Sequence, residues 1–544
     1  MVKWIGFLWA CVFAWQGVAQ SWTAKDSLIG YLNPYRSWFD VTHYDLQLRI
    51  DPDRQYIQGE NTIQFTAIDT SPGVLQLDLA PHFTINAIHS NGQPLSYQQR
   101  HTAIWIDWPE TRPGESATIT VAYQGRPKVA RYAPWQGGFV WDQDEKGNPW
   151  IGVACEGEGS HIWWPGKDHF TDEPDSMRMT FAVPNGLVAV GNGRLVDTRK
   201  QDSTTAYTWA VKNPINTYNV SVNIADYVHF TDTFSSTVTE NDLLLSYYVL
   251  RYNLDKAQQH FEQVKPMLAC FEKHFGPYPF YADSYKLVET PYLGMEHQSA
   301  IAYGNDYQKG YAGFDQSGLG FDYIIIHESG HEWFGNSITA SDLAEVWIHE
   351  SFTTYSEAVY VECLFGTQKA NAYMNMQRMM VRNKKPIIGP MDVRFDGWAD
   401  DNDQYYKGAL MLHTLRQAIG DDEQWWGLLQ DFSTHFAHQV INTDSVIRFF
   451  NARSPFDVKP FFDQYLRHAN LPVLEYKVSQ FGSEEPVTSM SFRWKTDEPD
   501  FMLPIPVDGE MKMVSTVWTA MERVENEWLP ETIKDYYVRV KRIK

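Results

Sequence analysis

Between Trp38 and Asp226 apolar residues recur at every second position: Tyr44, Leu46, Leu48 and Ile50, then Ile63, Phe65 and Ala67, then Leu75, Leu77 and Leu79, then Ile119, Val121 and Tyr123. Alternation with polar neighbours predicts half-buried antiparallel strands, and the turn formers between them (Ser71-Pro72-Gly73, Arg112-Pro113-Gly114) fit that reading. The predicted unit is an N-terminal antiparallel β-domain, residues 20–240. After Leu250 the repeat lengthens. Phe261, Val264, Leu268, Phe271 and Phe275 share one face of a helix that Gly276-Pro277 ends. Further apolar helical segments are expected at about 323–334, 348–365 and 409–419, within a second unit over residues 241–470. From Leu471 short alternating pieces return (Val473, Leu474, Tyr476, then 502–507 and 536–543) and predict a small C-terminal β-sandwich over residues 471–544. The expected class is a multidomain α+β protein.

Composition narrows the chemistry. With 544 residues and 43% hydrophobic content the chain can fill several cores. Its 45 basic and 67 acidic residues leave a net charge of −22, which repels a phosphate backbone and argues against a nucleic-acid partner. The start of the chain has Lys3, an apolar run from Trp4 to Trp15, and small residues at Gly17 and Ala19. That is the pattern of a signal peptide over residues 1–19, cleaved before Gln20, and it predicts a periplasmic or extracellular protein. The run is shorter than the ~18–20 residues of a membrane span, and no later segment supplies one. Cys11, Cys155, Cys270 and Cys363 are too few and too scattered for a disulfide framework. They read as buried small hydrophobes, and once Cys11 leaves with the signal at least one free thiol remains.

The segment His327-Glu328-Ser329-Gly330-His331 follows an apolar run. On a helix, positions four apart stack on one face, so both imidazoles reach a single ion while Glu328 projects toward a metal-bound water. A catalytic zinc site with two histidines takes a third protein ligand, commonly a carboxylate, and keeps one position open. Glu350, nineteen residues after His331, is a candidate. Spacing alone is equally met by two histidines satisfied within a helix and by a surface glutamate. His349 beside it suits helix packing or a supporting hydrogen bond better than ligation.

The pair of histidines with Glu350 resembles the HExxH-x18-E signature of the M1 family of zinc aminopeptidases, gluzincins that include aminopeptidase N and leukotriene A4 hydrolase. Three further segments occur in the family's order. Leu293-Gly294-Met295-Glu296-His297 is similar to the exopeptidase motif GxMEN, Cys155-Glu156-Gly157-Glu158-Gly159 to a substrate-binding loop of the β-domain, and Tyr405-Tyr406-Lys407-Gly408-Ala409 to the YxKGA segment. The resemblance implies a thermolysin-like α/β catalytic domain in which His327, His331 and Glu350 bind one zinc per chain and Glu328 is the general base. It implies that Gly294, Met295 and Glu296 bind substrate, with Glu296 holding the free α-ammonium helped by Glu156, and that Tyr405 hydrogen-bonds the oxyanion. Glu158 competes with Glu156 for its role, and Tyr406 with Tyr405. His297 stands where the family usually has Asn, Leu293 where it often has Gly, and Ala154 where many members have Gln. Tyr292 is a candidate for lining the pocket of the first residue. The resemblance stops before any long helical C-terminal domain, which implies a more open cleft.

The expected function is therefore a secreted zinc aminopeptidase acting on peptides with a free N-terminus. A zinc endopeptidase, an epoxide hydrolase like leukotriene A4 hydrolase, and a non-catalytic zinc-containing peptide-binding protein are the alternatives. Intact Glu328 and Tyr405 speak against the binder, which needs neither.

Overall fold

The computed structural model describes residues 23–394, 402–481, 487–521 and 528–544, so the signal segment expected at 1–19 lies outside the described residues. The alternating apolar positions from Tyr44 to Tyr123 all point inward and are at most 3% exposed. Phe39–Asp51 and Tyr56–Ala67 lie near the centre of an eight-stranded sheet that also holds Ser116–Gly125, whereas Val74–Asp78, with Leu75 and Leu77, belongs to a separate three-stranded sheet. One pair departs from the antiparallel expectation. Phe39–Asp51 runs parallel to Ser176–Pro184, from His43 opposite Ser176 to Arg49 opposite Ala182. Alternation reports which face is buried and carries no sign of strand direction. A four-stranded sheet of Val188–Gly191, Val222–Ala225, Pro149–Ala154 and Gly138–Gln143 completes the larger part of this unit. Its strand Pro149–Ala154 delivers Glu156 two residues past its end.

The second unit opens with a five-stranded sheet in the order Tyr227–Ser235, Asp242–Leu250, Tyr285–Glu289, Ile301–Tyr303, Gly294–Met295. The division placed at 240/241 falls in the turn between the first two of these strands, which pair from Tyr227 opposite Leu250 to Ser235 opposite Asp242. Tyr285–Glu289 is buried along its whole length, so it has no alternation to read. Tyr248, Leu250, Val288 and Met295 join the core of the β-domain, while Leu245, Tyr247, Leu287 and Ile301 join the helical core. The sheet is thus the wall between the two units.

On the helical side, Val264–Phe275 ends at Gly276, whose φ of 86° a side chain would resist. The helix Trp347–Phe365 is buried from Trp347 through Val361, which requires neighbours on every side. Small residues let those neighbours close in. A Cβ on Gly330 would lie 2.4 Å from Ser356 Oγ, and one on Gly408 would lie 1.7 Å from Ser351 Oγ, so Tyr323–Gly330 and Asp403–Ile419 both press directly onto this central helix. Cys270 and Cys363 join Val264–Phe275 to Trp347–Phe365 in a disulfide, correcting the reading of both as simple buried hydrophobes. The helices bring together two cysteines 93 residues apart, a proximity that no local spacing encodes. Cys155 is the expected buried free thiol.

The C-terminal strands Val473–Phe481, Val487–Lys495, Thr519–Met521 and Arg539–Arg542 form one sheet, with the hairpin of Leu503–Val507 and Glu510–Val514 alongside. Their apolar residues continue the core of the second unit. Arg378 donates to the carbonyls of Lys534 and Tyr536 (2.6 and 2.8 Å), and the Tyr465 hydroxyl donates to Tyr537 O (2.7 Å). Among the described residues no helix is long and apolar enough to cross a membrane.

Candidate active site

The helix Tyr323–Gly330 is fixed at its start by Asp322, whose carboxylate accepts the N–H groups of Ile324 and Ile325 at 2.9 and 3.4 Å. The same carboxylate accepts from the Tyr303 hydroxyl and the Asn305 amide, both at 2.8 Å, and pairs with His260 at 2.7 Å. An N-cap of this kind contributes about 1 kcal/mol, and the added partners also set how the helix is rotated against the sheet. The helix ends at Gly330, earlier than the 334 expected, because Phe334 bridges to Ile338 and the chain turns into the strand Ile338–Ala340. His331 is the C-cap with φ −62° and ψ −22°, still helical, so the four-residue stacking of His327 and His331 survives.

Each histidine spends its Nδ1 on a supporting partner. His327 Nδ1 donates to Glu357 Oε1 at 2.7 Å, and His331 Nδ1 donates to Phe334 O at 3.0 Å. Glu357 is held in turn by the Tyr373 hydroxyl (2.6 Å) and by Gln377 (3.2 Å). Both Nε2 atoms are left facing one space, where loss of the ring proton would free the lone pairs a metal ligand needs. They lie 3.3 Å apart, and Glu350 Oε2 lies 3.6 and 3.5 Å from them. Three donors bound tetrahedrally at about 2.0–2.1 Å would be separated by about 3.3–3.4 Å, which these spacings match. Glu350 Oε2 is buried with no hydrogen-bond partner, an expensive state for an oxygen that has no ion to hold. Burial acts to raise the Glu350 carboxyl, but the charges of His331 and His327 outweigh it and keep it well below the usual carboxylate range. His327, His331 and Glu350 can hold a zinc ion. His349 takes no part: its Nε2 accepts the Ala340 N–H at 2.8 Å, and burial followed by the His331 charge lowers it to about 3.

Glu328 stands beside this set, and a second group of donor atoms within 4.8 Å of one another joins it to Glu296 and His331. Gly294 is there because nothing larger fits: its Cβ would lie 2.6 Å from Ile324 Cγ2 and 2.8 Å from Glu328 Oε1. Gly294–Met295 is the edge strand of the five-stranded sheet, and Met295 is buried against the β-domain core. Glu296 is buried with Oε1 unpartnered. Burial, the Glu156 charge and the Glu328 charge raise its carboxyl well above the ordinary range. Glu156 is pushed up to about 8 by burial and by Glu350 and Glu328. Glu158 instead pairs with Lys128. Of the two candidates in that loop, Glu156 is the one turned to the site.

Tyr405 and Tyr406 separate in the same way. Tyr405 faces Glu350, and its ring centroid lies 6.2 Å from that of His327. Gly408, one turn on, allows the contact with Ser351 that puts Tyr405 there, and Ser351 Oγ donates to Gln404 O at 2.6 Å. Tyr292 lodges on Gly152 with its hydroxyl donated to Val153 O at 3.1 Å, so it offers the site no free polar group. His297 is fully buried with neither ring nitrogen partnered, and burial lowers it to about 3, so it is a neutral imidazole. Sequence reasoning did not single out Glu357. Its signal was present: it lies seven residues after Glu350 on the same helix face, where it meets His327.

Residues 259–465 match the model of the Peptidase family M1 domain. The chain is 24% identical over 509 residues to "Aminopeptidase B" of Rattus norvegicus, covering 85% of this chain and 75% of that one. It is 23% identical over 471 residues to "Aminopeptidase N" of Lactococcus lactis subsp. lactis, covering 81% of this chain and 52% of that one. Over the aminopeptidase B of Mus musculus it spans 50% of the length. The chain thus spans about half the length of most of the curated relatives it matches. Among solved structures, an M1 zinc metallopeptidase from Deinococcus radiodurans superposes with a TM-score of 0.67 at 20% identity, covering 80% of this chain and 95% of that one. A mutant form of that protein holds a bound Tyr-Ser-Ala substrate. These matches fall on a chain that brings His327, His331, Glu350 and Glu328 into one buried cluster, so residues 259–465 are similar to the Peptidase family M1 domain and carry a set of side chains able to hold zinc.

Proposed function

We propose that the protein is a zinc aminopeptidase that removes the first residue of peptides with a free N-terminus. The observation that carries this reading is the pair of carboxyls, buried Glu296 and half-buried Glu156, set beside the metal-binding cluster with raised pKa values. An α-ammonium is the group that relieves both their burial and their mutual repulsion. Held there, it places the first peptide bond, and no later one, over Glu328. The free edge of Gly294–Met295 suits an extended peptide main chain. Zinc bound by His327, His331 and Glu350 supplies Lewis acidity, lowering the pKa of water to about 7 and polarising a carbonyl. Glu328 then takes a proton from the attacking water and passes it to the leaving amine. Tyr405 donates its hydroxyl proton to the oxygen that becomes negative.

The test is hydrolysis of a panel of aminoacyl chromogenic amides, each free and N-acetylated, before and after chelation. Fast chelator-sensitive cleavage of the free amides alone is expected. Equal cleavage of acetylated and free substrates would make the protein an endopeptidase. Tyr405→Phe is expected to lower kcat by about 10²–10³, as for losing one oxyanion donor, with KM little changed. An unchanged kcat would remove Tyr405 from the mechanism.

We further infer export through residues 1–19, supported by the Cys270–Cys363 disulfide, which suits an oxidising compartment. N-terminal sequencing of the mature protein is expected to begin at Gln20. Retention of Met1 in the cytoplasmic fraction would overturn this.

A further inference from the structure

Four large aromatic side chains stand in solvent on loops anchored to elements of the active site: Phe314 is 70% exposed, Tyr132 65%, Trp135 50% and Tyr311 43%. Single exposed apolar residues mean little, whereas several grouped at a cleft mark a binding surface. These four belong to two loops, each tied to an element of the site. The loop carrying Tyr132 and Trp135 packs on the strand that leads to Glu156. Ala130 N donates to Phe139 O at 2.9 Å, Phe139 N to Lys128 O at 2.8 Å, and a Cβ on Gly137 would lie 2.4 Å from Ala154 O. Within it the Tyr132 and Trp135 rings stack with centroids 5.0 Å apart, and Gln136 N closes the turn onto Tyr132 O at 2.8 Å. The loop carrying Tyr311 and Phe314 is tied to the start of the zinc-motif helix: Gly310 N donates to Phe321 O at 2.8 Å and Tyr323 N to Gly310 O at 3.3 Å. Tyr311 stands edge-on to Tyr323 at 5.4 Å, and Tyr323 stacks on His327 at 5.2 Å. Burial raises the Tyr311 hydroxyl, together with Tyr132 and Glu328, both of which lie within its electrostatic reach.

The edge strand gives the rim a direction. Glu296 marks where the amine sits, and passing back from Glu296 to Gly294 leads to Ile324 and Glu328. Ile324 is the neighbour of Tyr323, on which Tyr311 stands. A peptide anchored at Glu296 and laid along this edge therefore carries its second and third residues toward the aromatic loops. We propose that Tyr132, Trp135, Tyr311 and Phe314 form a subsite for apolar or aromatic side chains at the second and third positions of the peptide, a specificity that rests on the aminopeptidase reading above. Aromatic faces fit such side chains by offset or edge-on stacking, and they exclude water from the downstream side of the scissile bond. The rim selects the residue that leaves, whereas the pocket at Glu296 and Glu156 selects the amine.

The zinc-loaded full chain is assayed with the aminoacyl p-nitroanilide it cleaves fastest, of first residue X, and with the peptides X-Gly-Gly, X-Phe-Gly and X-Gly-Phe. Phe at the second or third position is expected to raise kcat/KM about tenfold over Gly, chiefly through KM, the scale of one good aromatic contact. Trp135→Ala and Phe314→Ala should each pull that Phe/Gly ratio down by at least about threefold, and Trp135→Phe should restore it. Zinc content and Tm of the variants show whether they are folded, and their surface positions make them suitable. A Phe/Gly ratio within about twofold of one, or a ratio that neither alanine variant moves, overturns the subsite. Failure to cleave any aminoacyl anilide would instead overturn the aminopeptidase reading itself, so the two failures are distinct.

Discussion

Glu328→Gln is expected to lose about 10²–10⁴ in kcat while keeping its zinc, and His331→Ala to lose zinc and activity together. The two variants separate because the residues have separate duties within one cluster. Glu328 donates no atom to the group formed by His327, His331 and Glu350, so removing its basicity leaves the three ligand atoms where they are. His331 is one of only three, and its loss leaves Glu350 Oε2 and His327 Nε2 with an incomplete set. The supporting bonds fix that ligand in place: His331 is held by Phe334 O and Thr353. Metal analysis alongside kinetics checks both. Wild-type kcat in Glu328→Gln would show that another group takes the proton, and a fully loaded His331→Ala would show that the ion is held elsewhere.

The order of these parts was largely visible in the chain, and the reasons for the exceptions are physical. The β-domain strands could be read because one face of each is wet, so Leu46 and Leu48 alternate with exposed or half-exposed neighbours. The catalytic sheet could not, since Tyr285–Glu289 is covered by the β-domain on one side and helices on the other, and a strand buried on both faces has no period. Residues within a few turns on one helix, such as His327 and His331, follow from spacing alone. Pairs made by helix against helix do not: the Cys270–Cys363 bond, the Glu357 support of His327, and the choice of Glu156 over Glu158 all depend on which elements meet. The glycines of the motifs become intelligible only in three dimensions. Gly294 clears room for Glu328, and Gly408 lets the Tyr405 helix reach Ser351.

N-acetylated substrates are expected to be cleaved about 10³-fold more slowly than their free-amine counterparts, and Glu296→Ala to narrow that gap by slowing the free amines. The size follows from what the amine pocket contains. Glu296 is buried and Glu156 half-buried, both are raised by desolvation and by nearby carboxylates, and Glu296 Oε1 has no hydrogen-bond partner. A bound ammonium converts them into a charge-paired set. An acetylated amine offers no charge, and it presents a carbonyl oxygen to oxygens that need a donor. Removing one partner from a buried pair costs about 3–5 kcal/mol, which at about 1.4 kcal/mol per decade is about 10²–10⁴ in kcat/KM. In Glu296→Ala the free substrate loses its main anchor, so its kcat/KM falls toward the acetylated value, while zinc stays bound because Glu296 is outside the set of His327, His331 and Glu350. The Tyr405 and Glu328 chemistry is untouched, so residual turnover of both substrates should remain chelator-sensitive. A gap that Glu296→Ala leaves unchanged would move amine recognition to Glu156 alone, and equal rates on acetylated and free substrates in the unmutated enzyme would remove it from both.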